Sequence, residues 1–144
     1  MRNRLMTDEA PSLNTLIDRL TTDDETSVAA IKQMISQFVA ERDWRQFHAP
    51  KNISMALAVE AAELMEHFQW LTVEASREVE SDADKMTAIG EELADILCYG
   101  LALANELNID VAAAMSDKMR KNIRKYPKDE YQGRYGKDDP GRRD

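Results

Sequence analysis

Residues Asn52–Leu71 read NISMALAVEAAELMEHFQWL, and the spacing within this stretch decides the fold. At 3.6 residues per turn, Glu60, Glu63, His67 and Trp70 share one helical face. Ile53, Leu57, Ala61, Leu64 and Phe68 share another, an apolar face suited to burial. The stretch reads as an amphipathic helix whose polar face carries two acids one turn apart. Such a pair can offer oxygens to a hard cation such as Mg²⁺. An aromatic ring further along the same face can wall a pocket beside them.

The pattern returns about thirty residues later, in GEELADILCY. Glu92, Asp95 and Tyr99 fall at i, i+3 and i+7, the spacing of Glu60, Glu63 and His67. If the two helices pack antiparallel, both acidic pairs meet at one level of a bundle. Four carboxylates crowded together repel strongly unless a cation compensates them. All-oxygen ligation with open positions for water suits Mg²⁺ or Mn²⁺ rather than zinc. Glu91 is a rival ligand, because it precedes Asp95 by one helical turn. A di-iron bundle would want Glu-x-x-His on two helices, and neither His48 nor His67 follows a glutamate by three positions.

The rest of the chain agrees with an all-α class. Strong helix formers dominate, and only five glycines and four prolines occur in 144 residues, too few for a hairpin-rich β fold. A short helix is expected between Pro11 and Leu20, after a loose arm over residues 1–10. A long helix is expected from about Thr26, with Val28, Ile31, Ile35, Phe38 and Val39 as its apolar stripe, running through AERDWRQF to just before Pro50. Asn52 reads as the N-cap of the next helix, which ends near Trp70 or Leu71. Asp82 or a neighbour starts a third long helix, reaching about Asn108. Its second half is apolar nearly all round, a pattern that points to surrounding protein and hence to oligomerisation. Asp110 caps a fourth, ended by Pro127. The expected organisation is a four-to-five-helix bundle, with an N-terminal arm over 1–25, a domain over 26–127 and a polar tail over 128–144.

Lys118, Lys121, Asn122 and Lys125 recur along the fourth helix. They either complement its dipole or, facing an acid-bound metal, hold phosphate oxygens. Trp44, Phe47 and Trp70 are the aromatic candidates for stacking on a planar base. The net charge of −8 argues against a nucleic acid polymer as partner, although a bound metal can still admit a small anionic substrate. No charge-free run is long enough to cross a membrane, and no signal-peptide core is seen. The single cysteine, Cys98, lies in an apolar run and fits a small core residue in a reducing, cytoplasmic setting.

The combination resembles a known family. The order E-x-x-E, then E-x-x-D, then K-x-x-x-N-x-x-x-YP looks like the MazG-like all-α nucleoside triphosphate pyrophosphohydrolases, closest to their dCTP pyrophosphatase branch. The residues carrying the match are Glu41 to Trp44 with Gln46, Phe47 and His48, then Pro50 and Asn52. They continue with Glu60 to Leu64, Phe68 to Trp70, Glu91 to Asp95, Tyr99, and Lys118 to Pro127.

The resemblance implies that Glu60, Glu63, Glu92 and Asp95 hold Mg²⁺. Trp44, His48, Trp70 and Tyr99 would shape a nucleoside pocket, and Lys118 with Asn122 would engage phosphates or sugar. It further implies a dimer or tetramer that hydrolyses a nucleoside triphosphate to the monophosphate and pyrophosphate. Glu63 is the choice for a carboxylate that activates water. The readings left open are a non-catalytic helical module that binds a nucleotide or protein, and the same chemistry on dUTP or oxidised purine triphosphates.

Overall fold

Packing follows directly from which helix faces are apolar. The computed structural model describes residues 11–136, and the expected N-terminal arm over residues 1–10 lies outside them. Seven α-helices and no strand occur among the described residues. They are α1 (Leu13–Ile17), α2 (Val28–Glu41), α3 (Pro50–Glu66), α4 (Val73–Arg77), α5 (Ala83–Glu106), α6 (Val111–Lys125) and α7 (Lys128–Tyr131). Short 3-10 turns cover Trp44–Phe47 and Val79–Ser81. The chain forms two compact units, one ending at Asn108 and the other beginning at Ile109.

In the first unit, α3 packs against α5, and α2 packs against α5 and α1. Ile35 of α2, Ile53 of α3 and Ala102 of α5 form the centre of the core, and Ile53 is only 2% exposed. Ile31, Met34, Cys98, Tyr99, Leu101 and Leu103 close around them. The Asn105 amide adds a polar tie, donating through Nδ2 to the Lys32 carbonyl of α2 at 2.9 Å. Moving along α3 from Ile53 to Leu57 to Glu60, the partners on α5 run backward from Ala102 to Gly100 to Glu92. The two helices are therefore antiparallel.

Helix starts follow local side-chain chemistry. Ser27 caps α2, Asp82 caps α5 and Asp110 caps α6, each oxygen accepting from an amide three residues on. Pro127 ends α6 as expected, since Tyr126 before it takes a non-helical conformation.

Three boundaries differ from the sequence reading. Helix α2 stops at Glu41 instead of running to Pro50, because Asp43 turns left-handed at φ 51° and opens the 3-10 turn. An aspartate accepts that conformation more readily than most residues. Helix α3 begins at Pro50, whose fixed φ suits a first helical position, so Asn52 lies within the helix and is not its cap. Its amide instead donates to the Phe47 carbonyl at 3.1 Å and pins the preceding turn.

Helix α3 also stops early, at Glu66. Residues 67–71 tighten into turns, with the amides of Phe68 and Gln69 both donating to the Met65 carbonyl. The chain must leave helical geometry there because Thr72, extended, caps α4.

The second unit holds α6 and α7. Val111, Met115, Met119 and Ile123 recur along α6, and the last three are exposed. Its last turn carries Arg124 and Lys125, which complement the helix dipole. Lys125 Nζ sits 5.0 Å from the centre of the Tyr126 ring, and Tyr126 meets Tyr131 edge-on at 5.2 Å.

Candidate active site

The antiparallel pairing of α3 and α5 turns two linear acid patterns into one cluster. Oxygens of Glu60, Glu63 and Glu92 lie within 4.8 Å of one another. Asp95 is not among these three, but its charge acts on Glu60. Partial burial, then Glu63, Asp95 and Glu92 in that order, push the Glu60 carboxyl above its ordinary value. Glu91, the rival from spacing, is outside the cluster. Oxygen ligands at these separations fit a hard divalent cation, whose charge would offset those of Glu63, Asp95 and Glu92 around Glu60.

Asp95 also opens onto a cavity. A space of about 420 Å³ is walled by Met34, Ile35, Phe38 and Val39 of α2, by Trp44 and His48, and by Asp95, Cys98, Tyr99 and Ala102 of α5. The α5 residues recur at helical spacing on one face, so one helix carries acids at one end of the site and apolar wall at the other. The aromatic side is ordered by ring contacts. Phe38 meets Trp44 edge-on at 5.7 Å, Trp44 stacks on His48 at 6.4 Å and 18°, and the Arg42 guanidinium covers Phe38 at 3.7 Å. Burial, with Asp95 second, pushes the Cys98 thiol up, as expected for a poorly solvated wall.

A smaller space of about 250 Å³ shares Ile35, Val39, His48 and Ala102 with the first and adds Ser36, Arg45, Asn105 and Glu106. The two spaces thus abut along a wall that includes His48.

Of the residues singled out from the sequence, Trp44, His48 and Tyr99 line the larger cavity with Asp95. Trp70 does not join them: it lies past the end of α3 and is 86% exposed, because the helical face assumed for it ends at Glu66. His67 is the C-terminal cap residue of α3. Phe47 is exposed and outside the cavity wall. Lys118 and Asn122 belong to α6 in the second unit. The sequence reading missed Met34, Phe38 and Cys98 as cavity wall, having placed Phe38 and Cys98 in the core. A signal existed for two of them: Met34 and Phe38 fall at i and i+4, directly before the ERDW turn.

Acids on two antiparallel helices beside a cavity with an aromatic side place this chain in the class of all-α bundles with a candidate metal centre. Residues 55–137 match the model of the MazG-like family. The chain belongs to the MazG-like family. It is 41% identical over 103 residues to dCTP pyrophosphatase 1 of Bos taurus and 40% identical to that of Homo sapiens, covering 72% of this chain. It spans 61% of the length of those relatives. A solved pyrophosphatase from Archaeoglobus fulgidus is 32% identical with a TM-score of 0.66, over 75% of this chain and 99% of that one.

Proposed function

We propose that the protein hydrolyses a nucleoside triphosphate, with dCTP or a modified dCTP as the favoured substrate, to the monophosphate and pyrophosphate. The observation that carries this reading is the meeting of Glu60, Glu63 and Glu92 beside the cavity lined by Trp44, His48, Asp95 and Tyr99. The likeness to dCTP pyrophosphatase 1 supports the choice of substrate. The role would be control or cleansing of a nucleotide pool, in a reducing cytoplasm that suits the free Cys98.

In this reading Glu60, Glu63, Glu92 and Asp95 hold Mg²⁺, with Mn²⁺ as an alternative of similar ligand demand. The bound ion supplies charge neutralisation at the phosphate oxygens. Glu63, the exposed member of the cluster, takes the proton of the attacking water. Trp44 and Tyr99 flank the nucleoside, and the cavity excludes water from its base. Trp70, Lys118 and Asn122 are carried only by resemblance, as further contacts to nucleoside, phosphates or sugar. Residues 26–127 would be the catalytic domain.

A dimer or tetramer is part of the proposal. Support comes from apolar pairs one turn apart left exposed on α3 (Met55, Val59) and α5 (Leu93, Leu97). No single described helix is long and apolar enough to cross a membrane. The acidic charge gives no support to nucleic acid polymers as partners.

The test is pyrophosphate release from a panel of canonical and modified triphosphates, with Mg²⁺ and with EDTA. Metal-dependent release with preference for a deoxycytidine triphosphate is expected. Release from dUTP or oxidised purine triphosphates alone would replace the substrate, and release from none would favour a binding module.

A further inference from the structure

The smaller space, of about 250 Å³, has a wall of a different character from the cavity it abuts. Helix α5 lends it Ala102, Asn105 and Glu106, which share one helical face at i, i+3 and i+4. Helix α2 lends Ile35, Ser36 and Val39, and the 3-10 turn lends Arg45. Ile35, Val39 and Ala102 are buried and make an apolar floor.

The polar groups around that floor do not satisfy one another. Arg45 and Glu106 carry opposite charges on the same space, yet no ion pair joins them. The Asn105 amide uses Nδ2 on the Lys32 carbonyl, which leaves its Oδ1 as an acceptor. That carbonyl, four residues before Ser36, is also where a helical serine hydroxyl commonly turns. With Asn105 on it, the Ser36 hydroxyl makes no hydrogen bond among the described residues.

Donors at Arg45 and Ser36 thus share one small space with acceptors at Glu106 and Asn105. An arginine fork takes a carboxylate through two parallel bonds, and an ammonium offers three donors to carboxylate and amide oxygens. We propose that the smaller space binds a free aliphatic α-amino acid. Its carboxylate meets Arg45 and Ser36, its ammonium meets Glu106 and the Asn105 Oδ1, and its side chain lies on Ile35, Val39 and Ala102. The volume falls below the roughly 300–1,000 Å³ usual for drug-sized ligands, as a ligand this small requires. The larger cavity is no rival for it, because no arginine or lysine lines that wall to receive a carboxylate. This is a second site, beyond the hydrolase reading, and its test needs no hydrolysis.

The probe is L-leucine, set against isoamylamine, which lacks its carboxylate, and isocaproate, which lacks its ammonium. Isothermal titration of the full chain should show one leucine per chain. At about ten times its dissociation constant, leucine should raise the melting temperature by about 3–6 °C. Neither fragment should do so at the same concentration. Arg45→Gln and Glu106→Gln, both at exposed positions, should melt as the wild type does without ligand and should each lose the shift. No heat and no shift with leucine overturns the proposal. A fragment that matches leucine overturns it too, since an apolar contact then suffices. A shift that survives either substitution removes that charge from the site, and the zwitterion with it.

Discussion

Replacing Trp44 with alanine separates the two tasks assigned to that ring. Trp44 is 42% exposed, so a little over half its surface is covered. Relative to alanine the covered part is on the order of 100 Å², worth about 2.5 kcal/mol of apolar burial. The edge-on contact with Phe38 and the stack on His48 add about 1 kcal/mol each at most. A loss of about 3 kcal/mol should lower the melting temperature by about 6–12 °C in a chain of this size. The bond from His48 to the Trp44 carbonyl involves backbone and should survive. If the exposed part of the ring stacks on the base, a further ~1–3 kcal/mol disappears from binding, a rise of about 5- to 150-fold in KM. Steady-state hydrolysis and thermal melts on the same preparation read both effects. Trp44→Phe should recover much of each. The base-stacking role is refuted if Trp44→Ala melts lower but keeps the wild-type KM at a temperature where it is folded.

The acids make two further predictions. Glu63→Ala and Asp95→Ala should each abolish pyrophosphate release while circular dichroism remains that of the wild-type helices; retained turnover would remove these residues from the metal site. Stability should also depend on pH through Glu60, whose carboxyl is raised in the folded state by partial burial and by Glu63, Asp95 and Glu92. Between the lower unfolded value and the raised folded one, the folded chain binds more protons, so stability falls as pH rises through that window. Glu60→Gln should flatten this part of the metal-free profile, as should saturating Mg²⁺, which also raises the melting temperature by binding the native state. A Glu60→Gln profile that superimposes on wild type, measured by melts across acidic to neutral pH, contradicts the raised Glu60 carboxyl.

The legible part of the chain was the part governed by local periodicity. Glu60 and Glu63, and Glu92 and Asp95, are spaced by helix geometry alone, and so are the apolar faces centred on Ile53 and Ala102. Caps at Asp82 and Asp110 and the stop at Pro127 depend on one side chain or one ring acting on adjacent backbone. Such terms are readable because nothing distant competes with them.

Where distant packing or a reversal competes, the reading failed in particular ways. Trp70 continued the acidic face on paper, but the chain leaves helical geometry at Glu66 to reach the capped start of α4. Asp43 broke a helix that propensity would have continued. The resulting turn swings Trp44 against Phe38 and His48 and converts part of an apolar stripe into cavity wall.

By itself, then, the sequence determined the all-helical class, the two acidic pairs and the family pattern, because each is written in residue type and helical spacing. Tertiary structure alone decided which acids meet and which aromatics share their cavity. Those facts depend on the direction of helix pairing and on where each helix ends.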